Sequence, residues 1–486
     1  MTPGLLVPAA EGAAFGDGRR TPSGGAMASV EPATGRVLAT VRAADASDVR
    51  RAADAARRAQ PAWAGLAATE RAAVLRRASH RLGEHAAEVA EWLVREGGAV
   101  PAKADAEIRS VRDELRVAAD LATRAPGTLL PTPPGRTSLA RRVPLGVVGV
   151  ISPWNFPLLL AMRAVAPALA LGNAVLLKPD PNTPVAGGHV VARLFEEAGL
   201  PDGVLHVLPG DAEPGAALTA DPDVAMVAFT GSTAVGRLVG ATAGRLLKRA
   251  SLELGGNNAL IVLDDADLDA ASSAGAWGSF FHQGQVCMAA GRHIVLEAVA
   301  DEYLGRLARR AAALTVGDPW RDKVDLGPLI NDAQADRVRR IVAESMAAGA
   351  RVCAGGTGEG RFLRPTVLAG VTPEMPAFSE EIFGPVAPVT VVADEDEAVE
   401  VANRTEYGLV AAVQTGCERR GAAVAERLRT GIAHVNDQTI GDDAFVPFGG
   451  MGASGNGTRY GAEQSWEAFT QWRWLTSRPR AEALPF

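Results

Sequence analysis

Residues 146–179 read GVVGVISPWNFPLLLAMRAVAPALALGNAVLLKP, and the order of apolar and turn-forming residues in this stretch decides the fold class. Two apolar runs, GVVGVIS (146–152) and AVLLKP (174–179), have the length and the boundaries of buried strands. Between them, PWNFP (153–157) indicates a loop, and the apolar residues that follow indicate the start of a buried helix. The stretch therefore predicts a strand, a loop, a helix and a second strand.

A membrane span is an alternative for the same region, because residues 145–162 carry no charge over eighteen positions. That length is about the minimum for a transmembrane helix. However, Pro153, Asn155 and Pro157 interrupt the run, where a lipid-facing helix needs unbroken backbone hydrogen bonds. We therefore predict a buried element of a globular protein and no membrane partner.

The same alternation continues along the chain. Further strand-like runs are VLHVLPG (204–210), VAMVAFTG (224–231), GRHIVLEA (291–298) and PVAPVTVV (385–392). Helical patterning covers 45–125, 184–199, 232–244, 299–314, 332–348 and 396–403. Strands that alternate with helices indicate a mostly parallel sheet. We predict two α/β domains with a ligand-binding cleft between them.

Three segments differ in character. The first ~30 residues are rich in Gly, Ala and Pro and are predicted to be a loose lead-in. Residues 127–146 indicate an extended, hairpin-like excursion, and the tail WEAFTQWRWLTSRP (466–479) alternates tryptophan with polar residues as a strand does. Exposed strands promote aggregation unless they are paired. Our hypothesis is that excursion and tail pair across a subunit interface, and pairing within one chain is the alternative.

Composition excludes several classes of function. The length of 486 residues suggests roughly 2–4 domains, and 47% hydrophobic with 22% charged residues is typical of a globular protein. A net charge of −7 argues against a nucleic-acid partner. Three widely spaced cysteines predict neither a disulfide framework nor a metal site. Together with a start that lacks signal-peptide features, they favour a cytoplasmic protein.

Cys287 lies in HQGQVCMAAG (282–291), directly after a predicted helix. Helical spacing predicts that this helix faces a core through Ala270, Ala274, Trp277 and Phe281. Gln283–Gly284 is expected to end the helix, which leaves Cys287 on a turn. A free cysteine is most often a buried space-filler, and we keep that interpretation for Cys353 and Cys417. For Cys287 the alternative is a displayed nucleophile.

Two polar residues are candidates to act with Cys287. Glu253, in KRASLELGGNNALIV (248–262), has apolar neighbours that would raise its pKa and suit it to general-base catalysis. A salt-bridged or helix-capping glutamate is the alternative. Asn155, in PWNFP, is an amide donor suited to a developing oxyanion, and a plain turn residue is its alternative.

Other segments indicate an anion-binding or nucleotide-binding site. Lys178 follows an apolar strand and suits ligand hydroxyl or phosphate groups. FTGSTAVG (229–236) predicts a strand followed by a helix N-terminus, where free amides could meet a pyrophosphate. GMGASG (450–455) has the GxGxxG spacing but no strand–helix unit around it, so we interpret it as a glycine-rich loop.

Seven segments, taken in this order, resemble the aldehyde dehydrogenase superfamily over almost the whole chain. They are PWNFP (153–157), LLKPDP (176–181), FTGS (229–232), LELGG (252–256), GQVC (284–287), EEIFGPV (380–386) and PFGGMGASG (447–455). Each is weakly specific alone, and the full set in family order is highly specific. Residues 282–295 and 436–461 look most like the benzaldehyde and vanillin dehydrogenase branch.

The resemblance implies an α/β fold with a Rossmann-like cofactor domain, an α/β catalytic domain and a small β oligomerisation element. The implied cofactor domain comprises residues 1–124 and 144–253, and the catalytic domain residues 254–455. Residues 125–143 and 456–486 would form the oligomerisation element of a homodimer or homotetramer.

The resemblance also implies catalytic roles. Cys287 would be the nucleophile that attacks an aldehyde carbonyl. The oxyanion of the thiohemiacetal would be held by the Asn155 side chain and the Cys287 backbone N–H. Glu253 would activate the water that hydrolyses the thioester, and could first help to deprotonate Cys287. No metal is implied.

For the cofactor, the resemblance implies NAD, with NADP as the alternative. Lys178 would bind the adenosine ribose, Gly231 and Ser232 the pyrophosphate, and Glu381 with Phe383 the nicotinamide ribose and ring. The other implied cofactor positions are Ile151, Ser152, Trp154, Gly210, Val235, Leu254 and Gly255. One departure is Pro181, which stands where many NAD-preferring members carry a glutamate.

The substrate is expected to be a small aldehyde, most of all an aromatic one. The implied pocket positions are mostly apolar: Phe156, Leu160, Val286, Met288, Phe445, Val446 and Phe448. Arg163 and Asp437 are nearby exceptions, and Arg163 keeps open a semialdehyde that carries a carboxylate. An aliphatic aldehyde as substrate and a catalytically silent family member also stay open.

Overall fold

Residues 5–6, 22–481, 483 and 486 are described by a computed structural model. Its helices are α1 (Ala46–Gly65), α2 (Ala68–Glu84), α3 (Ala86–Gly97), α4 (Pro101–Ala122), α5 (Pro157–Ala170), α6 (Val190–Glu197), α7 (Ala212–Ala220), α8 (Thr233–Arg245), α9 (Leu268–Phe280), α10 (Glu297–Ala313), α11 (Asp332–Ala347), α12 (Pro376–Ser379), α13 (Glu395–Asn403), α14 (Glu418–Ala425) and α15 (Ala462–Ala468). A π-helical turn (Val185–His189) precedes α6, and a 3₁₀ turn (Phe281–Gly284) follows α9.

The strands belong to three larger sheets and three two-stranded ones. They are β1 (Ala26–Val30), β2 (Val37–Arg42), β3 (Gly127–Leu129), β4 (Thr137–Pro144), β5 (Val147–Ile151), β6 (Ala174–Lys178), β7 (Leu205–Val207), β8 (Val224–Thr230), β9 (Arg249–Glu253), β10 (Ala259–Val262), β11 (Arg292–Leu296), β12 (Arg351–Ala354), β13 (Gly358–Glu359), β14 (Phe362–Leu363), β15 (Thr366–Ala369), β16 (Val386–Val392), β17 (Tyr407–Gly408), β18 (Val410–Gln414), β19 (Ile432–Val435), β20 (Met451–Gly452) and β21 (Thr470–Ser477).

The first large sheet is parallel and has the order β7-β6-β5-β8-β9. Successive side chains of a strand point to opposite faces, and both faces here are apolar. One face packs on helices α2 to α6 through Val148, Val150, Val175 and Leu177. The other packs on α1, α7 and α8 through Val147, Leu176 and Val227. The strand–loop–helix–strand prediction for residues 146–179 is thereby confirmed.

The second large sheet has the order β12-β15-β16-β11-β10-β18-β19, and only β12 among these strands runs antiparallel. Leu260 and Val262 face the core beneath α9 and α10, whereas Ala259 and Ile261 face the core beneath α13 and α14. Cys287 lies between β10 and β11 along the chain, at an end of this sheet. The prediction of two α/β units therefore agrees with one parallel sheet and one mostly parallel sheet.

The third large sheet corrects a hypothesis about the tail. β21 pairs antiparallel with β4 of the same chain, from Thr470 opposite Pro144 to Ser477 opposite Thr137, and β3 lies on the other side of β4. The cross-subunit pairing hypothesis for these two segments is wrong, and pairing within one chain is confirmed. The reason is local: α15 ends directly before β21, and buried Phe469 stacks on Tyr460 and anchors the junction.

The core-facing stripe expected for α9 is also wrong. Ala270 and Trp277 are exposed, and Ala274 and Phe281 are only half-buried. The buried residues of α9 are Phe280 and five small residues, Ala271, Ser272, Gly275, Gly278 and Ser279. A Cβ at Gly275 would clash with the Tyr303 hydroxyl, so α9 lies close against α10. Most of the buried face of α9 is made of small residues, which let the helix approach its neighbour closely. A search for large apolar side chains at helical spacing therefore selects the wrong face.

Three smaller expectations have mixed outcomes. The loose lead-in is wrong for residues 26–30, which form β1 and pair with β2, while residues 1–4 and 7–21 lie outside the described part. Cys417 is exposed and Cys353 is half-buried, so neither is a fully buried space-filler. Across the described residues, no helix has both the length and the apolar character that a membrane crossing needs.

Candidate active site

Cys287 follows a strained turn that ends α9. His282, Gln283 and Gly284 all have left-handed backbone angles, with φ of 50°, 57° and 68°. Glycine is required at 284, because a Cβ there would clash with the carbonyl of Gly384. Left-handed non-glycine residues cost free energy and persist where the surroundings hold them. The chain therefore leaves the helix sharply and presents Cys287 on a short loop, as the sequence predicts.

Buried amide side chains hold this turn in place. Gln283 Nε2 donates to the carbonyls of Gly98 and Pro328, each at 2.9 Å. Gln285 Oε1 accepts from the backbone N–H of Ile330 at 3.0 Å. Asn258 Nδ2 donates to the carbonyl of Cys287 itself at 2.8 Å. Sequence reasoning missed Asn258, although it lies just after the Gly pair of LELGG.

Asn155 lies in the loop after β5 and reaches the same turn. Its side chain is 3% exposed, and Nδ2 donates to the carbonyl of Gln285 at 3.0 Å. An amide nitrogen carries two hydrogens, so this bond fixes the side chain and leaves a second donor. Asn155 is therefore tied to the turn two residues before Cys287.

Glu253 ends β9 with an unpaired carboxyl group. The residue is 3% exposed, and neither carboxylate oxygen has a hydrogen-bond partner within the described residues. Burial raises the pKa of Glu253 well above its usual range, while Arg163 and Arg459 act in the opposite direction. Buried polar groups normally find partners, so an unpaired one marks a functional candidate.

The electrostatic surroundings disfavour a resting thiolate. Burial raises the pKa of the Cys287 thiol to about 12, and the negative charge of Glu381 adds to this rise. Arg163 opposes it, and Glu253 and Asp442 add further to it. The thiol is therefore protonated at neutral pH in the protein alone, and its activation needs a base and a compensating positive charge.

Glu381 and Phe383 approach the glycines of LELGG. Glu381 Oε1 accepts from the Gly256 N–H at 2.8 Å, and a Cβ at Gly255 would clash with the Glu381 carboxylate. Burial raises the pKa of Glu381 to about 7. Phe383 has a φ of 55° and lies edge-on to Trp154 with ring centroids 5.4 Å apart.

A cavity of about 550 Å³ lies at the carboxyl ends of β5, β6 and β8. The sequence-predicted cofactor residues that line it are Ile151, Ser152, Trp154, Lys178, Gly231, Ser232 and Val235. Leu254, Gly255, Glu381 and Phe383 are not among its lining residues, and Gly210 precedes the lining residue Asp211. The lining also includes Pro181, the departure noted in the sequence, and Asp180 and Asp211, which sequence reasoning did not place there.

The cavity has the donors and shape that a dinucleotide needs. Ser232 caps α8 by accepting from Val235 N–H at 3.4 Å, and Gly231, Ser232 and Val235 line the cavity, so the N-terminus of α8 lies at its wall, where an anion is favoured. The Ser152 hydroxyl is buried without a hydrogen-bond partner among the described residues. Ligands of open parallel sheets bind beyond the carboxyl ends of the strands. The residues present therefore fit a nicotinamide dinucleotide.

An apolar cluster surrounds Cys287 on its other side. It consists of Val286, Met288, Leu409, Val410 and Phe448, against which Phe156, Phe281, Cys287, Ala289, Ile432 and Ile440 pack. Four of the expected substrate residues belong to it: Phe156, Val286, Met288 and Phe448. Leu160 is buried one helical turn after Phe156, whereas Phe445, Val446 and Asp437 are exposed and outside the cluster.

Arg163 lies beneath this cluster and is not free. Its guanidinium forms an ion pair with Asp442, its Nε lies 3.4 Å from Glu114, and its Cζ lies 4.3 Å from the centroid of the Phe448 ring. Arg163 is 5% exposed. Burial raises the pKa of Glu114 to about 7. Two carboxyl groups therefore contact the single positive charge of Arg163.

Comparison with known proteins decides the family. A model described as the aldehyde dehydrogenase family matches residues 20–475. The chain belongs to the aldehyde dehydrogenase family. It is 54% identical to a vanillin dehydrogenase from Amycolatopsis sp., with 96% of each chain covered. It is 52% identical to a benzaldehyde dehydrogenase (NAD+) from Pseudomonas putida, with 95% of each chain covered.

Solved structures of other enzymes have the same fold. An NADP-dependent enzyme from E. coli gives a TM-score of 0.93 at 35% identity, with 96% of this chain and 98% of that chain covered. An indole-3-acetaldehyde dehydrogenase in complex with NAD+ gives a TM-score of 0.92 at 35% identity, with 96% of this chain and 97% of that chain covered. In this aldehyde dehydrogenase, a thiol, an amide donor and a buried carboxyl group thus lie between a dinucleotide-sized cavity and an apolar cluster.

Proposed function

We propose that this aldehyde dehydrogenase oxidises an uncharged aromatic aldehyde of the benzaldehyde type to the carboxylic acid, with NAD as hydride acceptor. The observation that carries the proposal is the apolar, aromatic cluster around Cys287. Such a cluster suits a flat ring and offers no unpaired charge to a carboxylate. The vanillin and benzaldehyde dehydrogenases among the relatives support the same substrate class.

In the proposed mechanism Cys287 acts as the nucleophile. Its sulfur adds to the aldehyde carbonyl, and its proton passes to Glu253 or to water. The Asn155 amide and the Cys287 backbone N–H donate to the oxyanion of the thiohemiacetal; removal of one such donor costs about 10²–10³ in rate. A nicotinamide dinucleotide held by residues such as Lys178, Ser232 and Glu381 would supply the hydride acceptor for the oxidation of the thiohemiacetal to the thioester. Glu253, after releasing to solvent any proton taken from Cys287, then takes a proton from the water that hydrolyses the thioester, and Cys287 leaves as the thiolate.

The charge around Lys178 favours NAD over NADP. Lys178 shares the cavity wall with Asp180, Asp211 and Pro181. Two carboxyl groups against one ammonium leave no surplus positive charge for a 2′-phosphate, which carries up to about two negative charges. Pro181 adds no donor. The benzaldehyde dehydrogenase (NAD+) of Pseudomonas putida supports this choice.

Arg163 argues against a semialdehyde that carries a carboxylate. A second carboxylate needs an unpaired cation in the pocket, and both Asp442 and Glu114 already contact the Arg163 guanidinium. Burying another negative charge beside them would be unfavourable. Aliphatic aldehydes lack the ring that Phe156 and Phe448 suit, and we rank them second.

We also infer the domain division and assembly. The five-stranded sheet lies within the predicted cofactor domain, residues 1–124 and 144–253. The seven-stranded sheet lies within residues 254–455, the predicted catalytic domain. The three-stranded sheet lies almost entirely within residues 125–143 and 456–486, the predicted oligomerisation element. The first would bind the cofactor, the second would carry Cys287, and the third would join subunits into a homodimer or homotetramer. Thiols are kept reduced in the cytosol, which supports a cytoplasmic location for an enzyme with a nucleophilic Cys287.

Steady-state kinetics with four aldehydes and two cofactors test this function. We expect kcat/KM for benzaldehyde and vanillin to exceed that for hexanal by about tenfold or more and that for succinate semialdehyde by about a hundredfold, because a few kcal/mol of pocket contacts separate them. NAD is expected to be preferred over NADP.

Cys287→Ala is the control and is expected to abolish turnover without unfolding. A preference for hexanal or succinate semialdehyde would contradict the aromatic substrate class. Absence of turnover with every aldehyde would indicate a catalytically silent member of the family.

A further inference from the structure

We propose that the buried Lys103–Glu107 pair positions the oxyanion donor, by fixing the loop that carries Asn155. Lys103 and Glu107 lie one turn apart on α4, and each is 1% exposed. Charged residues are seldom fully buried unless they are paired. The proposal rests on the oxyanion role of Asn155 given in the proposed function.

Lys103 holds the loop at its middle. Its Nζ donates to the backbone carbonyl of Asn155 at 2.8 Å and forms an ion pair with Glu107. The same nitrogen lies 4.1 Å from the centroid of the Phe156 ring, in cation–π contact. The ammonium thus contacts the loop through two successive residues, one of them Asn155 itself.

Glu107 holds the other end of the loop. Its Oε1 accepts from the backbone N–H groups of Leu158 and Leu159, at 2.9 and 3.1 Å. Amides in the first turn of a helix have no partner within the helix, so Glu107 supplies the acceptor for these two amides of α5. The helix dipole also favours a carboxylate at this end. Its second oxygen is the partner of Lys103. One ion pair therefore fixes residues 155, 156, 158 and 159 relative to α4.

The loop needs this support. Residues 152–156 form neither helix nor strand, and the Asn155 side chain is tied to the Cys287 turn by a single hydrogen bond among the described residues, to the carbonyl of Gln285. Displacement of a catalytic group by about 1 Å can cost about a hundredfold in rate. A buried ion pair is weak evidence for stability, since apolar replacements are often neutral, and positional control explains its presence better.

A double-mutant cycle tests whether Lys103 acts through Asn155. The rate of NADH formation in the first turnover is measured with benzaldehyde for the wild type, Lys103→Met, Asn155→Ala and the double variant. We expect Lys103→Met to lower this rate by about 10- to 100-fold in the wild-type background. In the Asn155→Ala background, Lys103→Met is expected to lower the same rate by less than about threefold, because the effects of coupled residues are not additive.

Controls separate positioning from general damage. Lys248→Met removes a lysine that also donates to main-chain carbonyls, those of Thr219 and Asp221, and is expected to leave the first-turnover rate unchanged. NADH affinity and the melting temperature are measured for each variant. If Lys103→Met does not fold, Glu107→Gln replaces it in the cycle, since an amide oxygen still accepts from Leu158 and Leu159.

The outcomes distinguish the two proposals. Equal losses from Lys103→Met in both backgrounds, or a wild-type rate in Lys103→Met, would overturn the positioning role. A wild-type rate in Asn155→Ala would instead overturn the oxyanion role of Asn155, and with it the basis of this inference. Non-additive losses support both.

Discussion

The buried ionisable groups around Cys287 are unfavourable for folding when no ligand is bound, because their charged forms lose hydration. Glu253 is buried without a hydrogen-bond partner among the described residues, and burial raises the pKa values of Cys287 and Glu381 as well. Arg163 is the cation that opposes the shift at Cys287. Such clusters of shifted groups are typical of active sites. The site is thus poised for chemistry at the expense of local stability.

At this scale we expect Glu381→Gln to make Cys287 more reactive above neutral pH. The Glu381 carboxylate raises the pKa of Cys287, and the variant removes that charge while keeping an acceptor for Gly256 N–H. Because the pKa of Glu381 is about 7, the carboxylate is charged at pH 9 and mostly neutral at pH 6. We expect alkylation of Cys287 by iodoacetamide to accelerate about two- to tenfold at pH 9 and little at pH 6.

The readout is alkylation at Cys287 by mass spectrometry, since Cys417 is exposed and reacts as well. Glu380→Gln is the matched control, because Glu380 is adjacent to Glu381 in the sequence but forms an ion pair with Arg340. This variant is expected to leave the alkylation rate unchanged. An equal acceleration at both pH values, or none at either, would contradict this electrostatic explanation.

At the scale of elements, the three-stranded sheet has an unprotected apolar edge strand. β21 exposes Trp472, Trp474 and Leu475, at 54%, 68% and 46%. The Arg142 guanidinium lies over the Trp472 ring at 4.5 Å and covers part of this surface. Exposed apolar edge strands are usually covered by a partner. A second copy of the chain is the partner we propose.

We therefore expect Trp474→Lys to weaken self-association. A buried lysine at the proposed interface would cost several kcal/mol unless it were paired. Light scattering after size exclusion measures the mass of the species, and a smaller assembly than that of the wild type is expected. Trp320→Lys, at another exposed tryptophan (47%), is the control that keeps the wild-type mass. An unchanged assembly in Trp474→Lys would contradict the proposed interface.

At the scale of the whole molecule, local patterns predict the framework well. Apolar runs and helical spacing predict β5 to β8, β11 and β16 and helices such as α10, α11 and α13, because these patterns depend on near neighbours. The other strands of the two large sheets, such as β9, β10 and β18, are not predicted. Local patterns do not predict which distant segments pair or pack together. Pairing of β21 with β4 and burial of the small-residue face of α9 depend on contacts that no local pattern contains.

The candidate site shows the same division. The seven segments predict which residues gather around Cys287, and the structure brings Asn155, Glu253 and Cys287 to one place; their catalytic roles stay predictions. The ion pairs beneath the site are not predictable in this way. Arg163 and Asp442 are 279 positions apart, and Lys103 reaches a carbonyl 52 positions away. Only the folded chain shows these partners.

The central claim is that Cys287 carries the acyl group and Glu253 serves its hydrolysis. Glu253→Gln, mixed with benzaldehyde and NAD, tests it most directly by intact mass and peptide mapping after one turnover. We expect one equivalent of NADH and the mass of one benzoyl group on Cys287, because the thioester forms but is hydrolysed slowly. Normal steady turnover in this variant, or an acyl group on another residue, would contradict the claim.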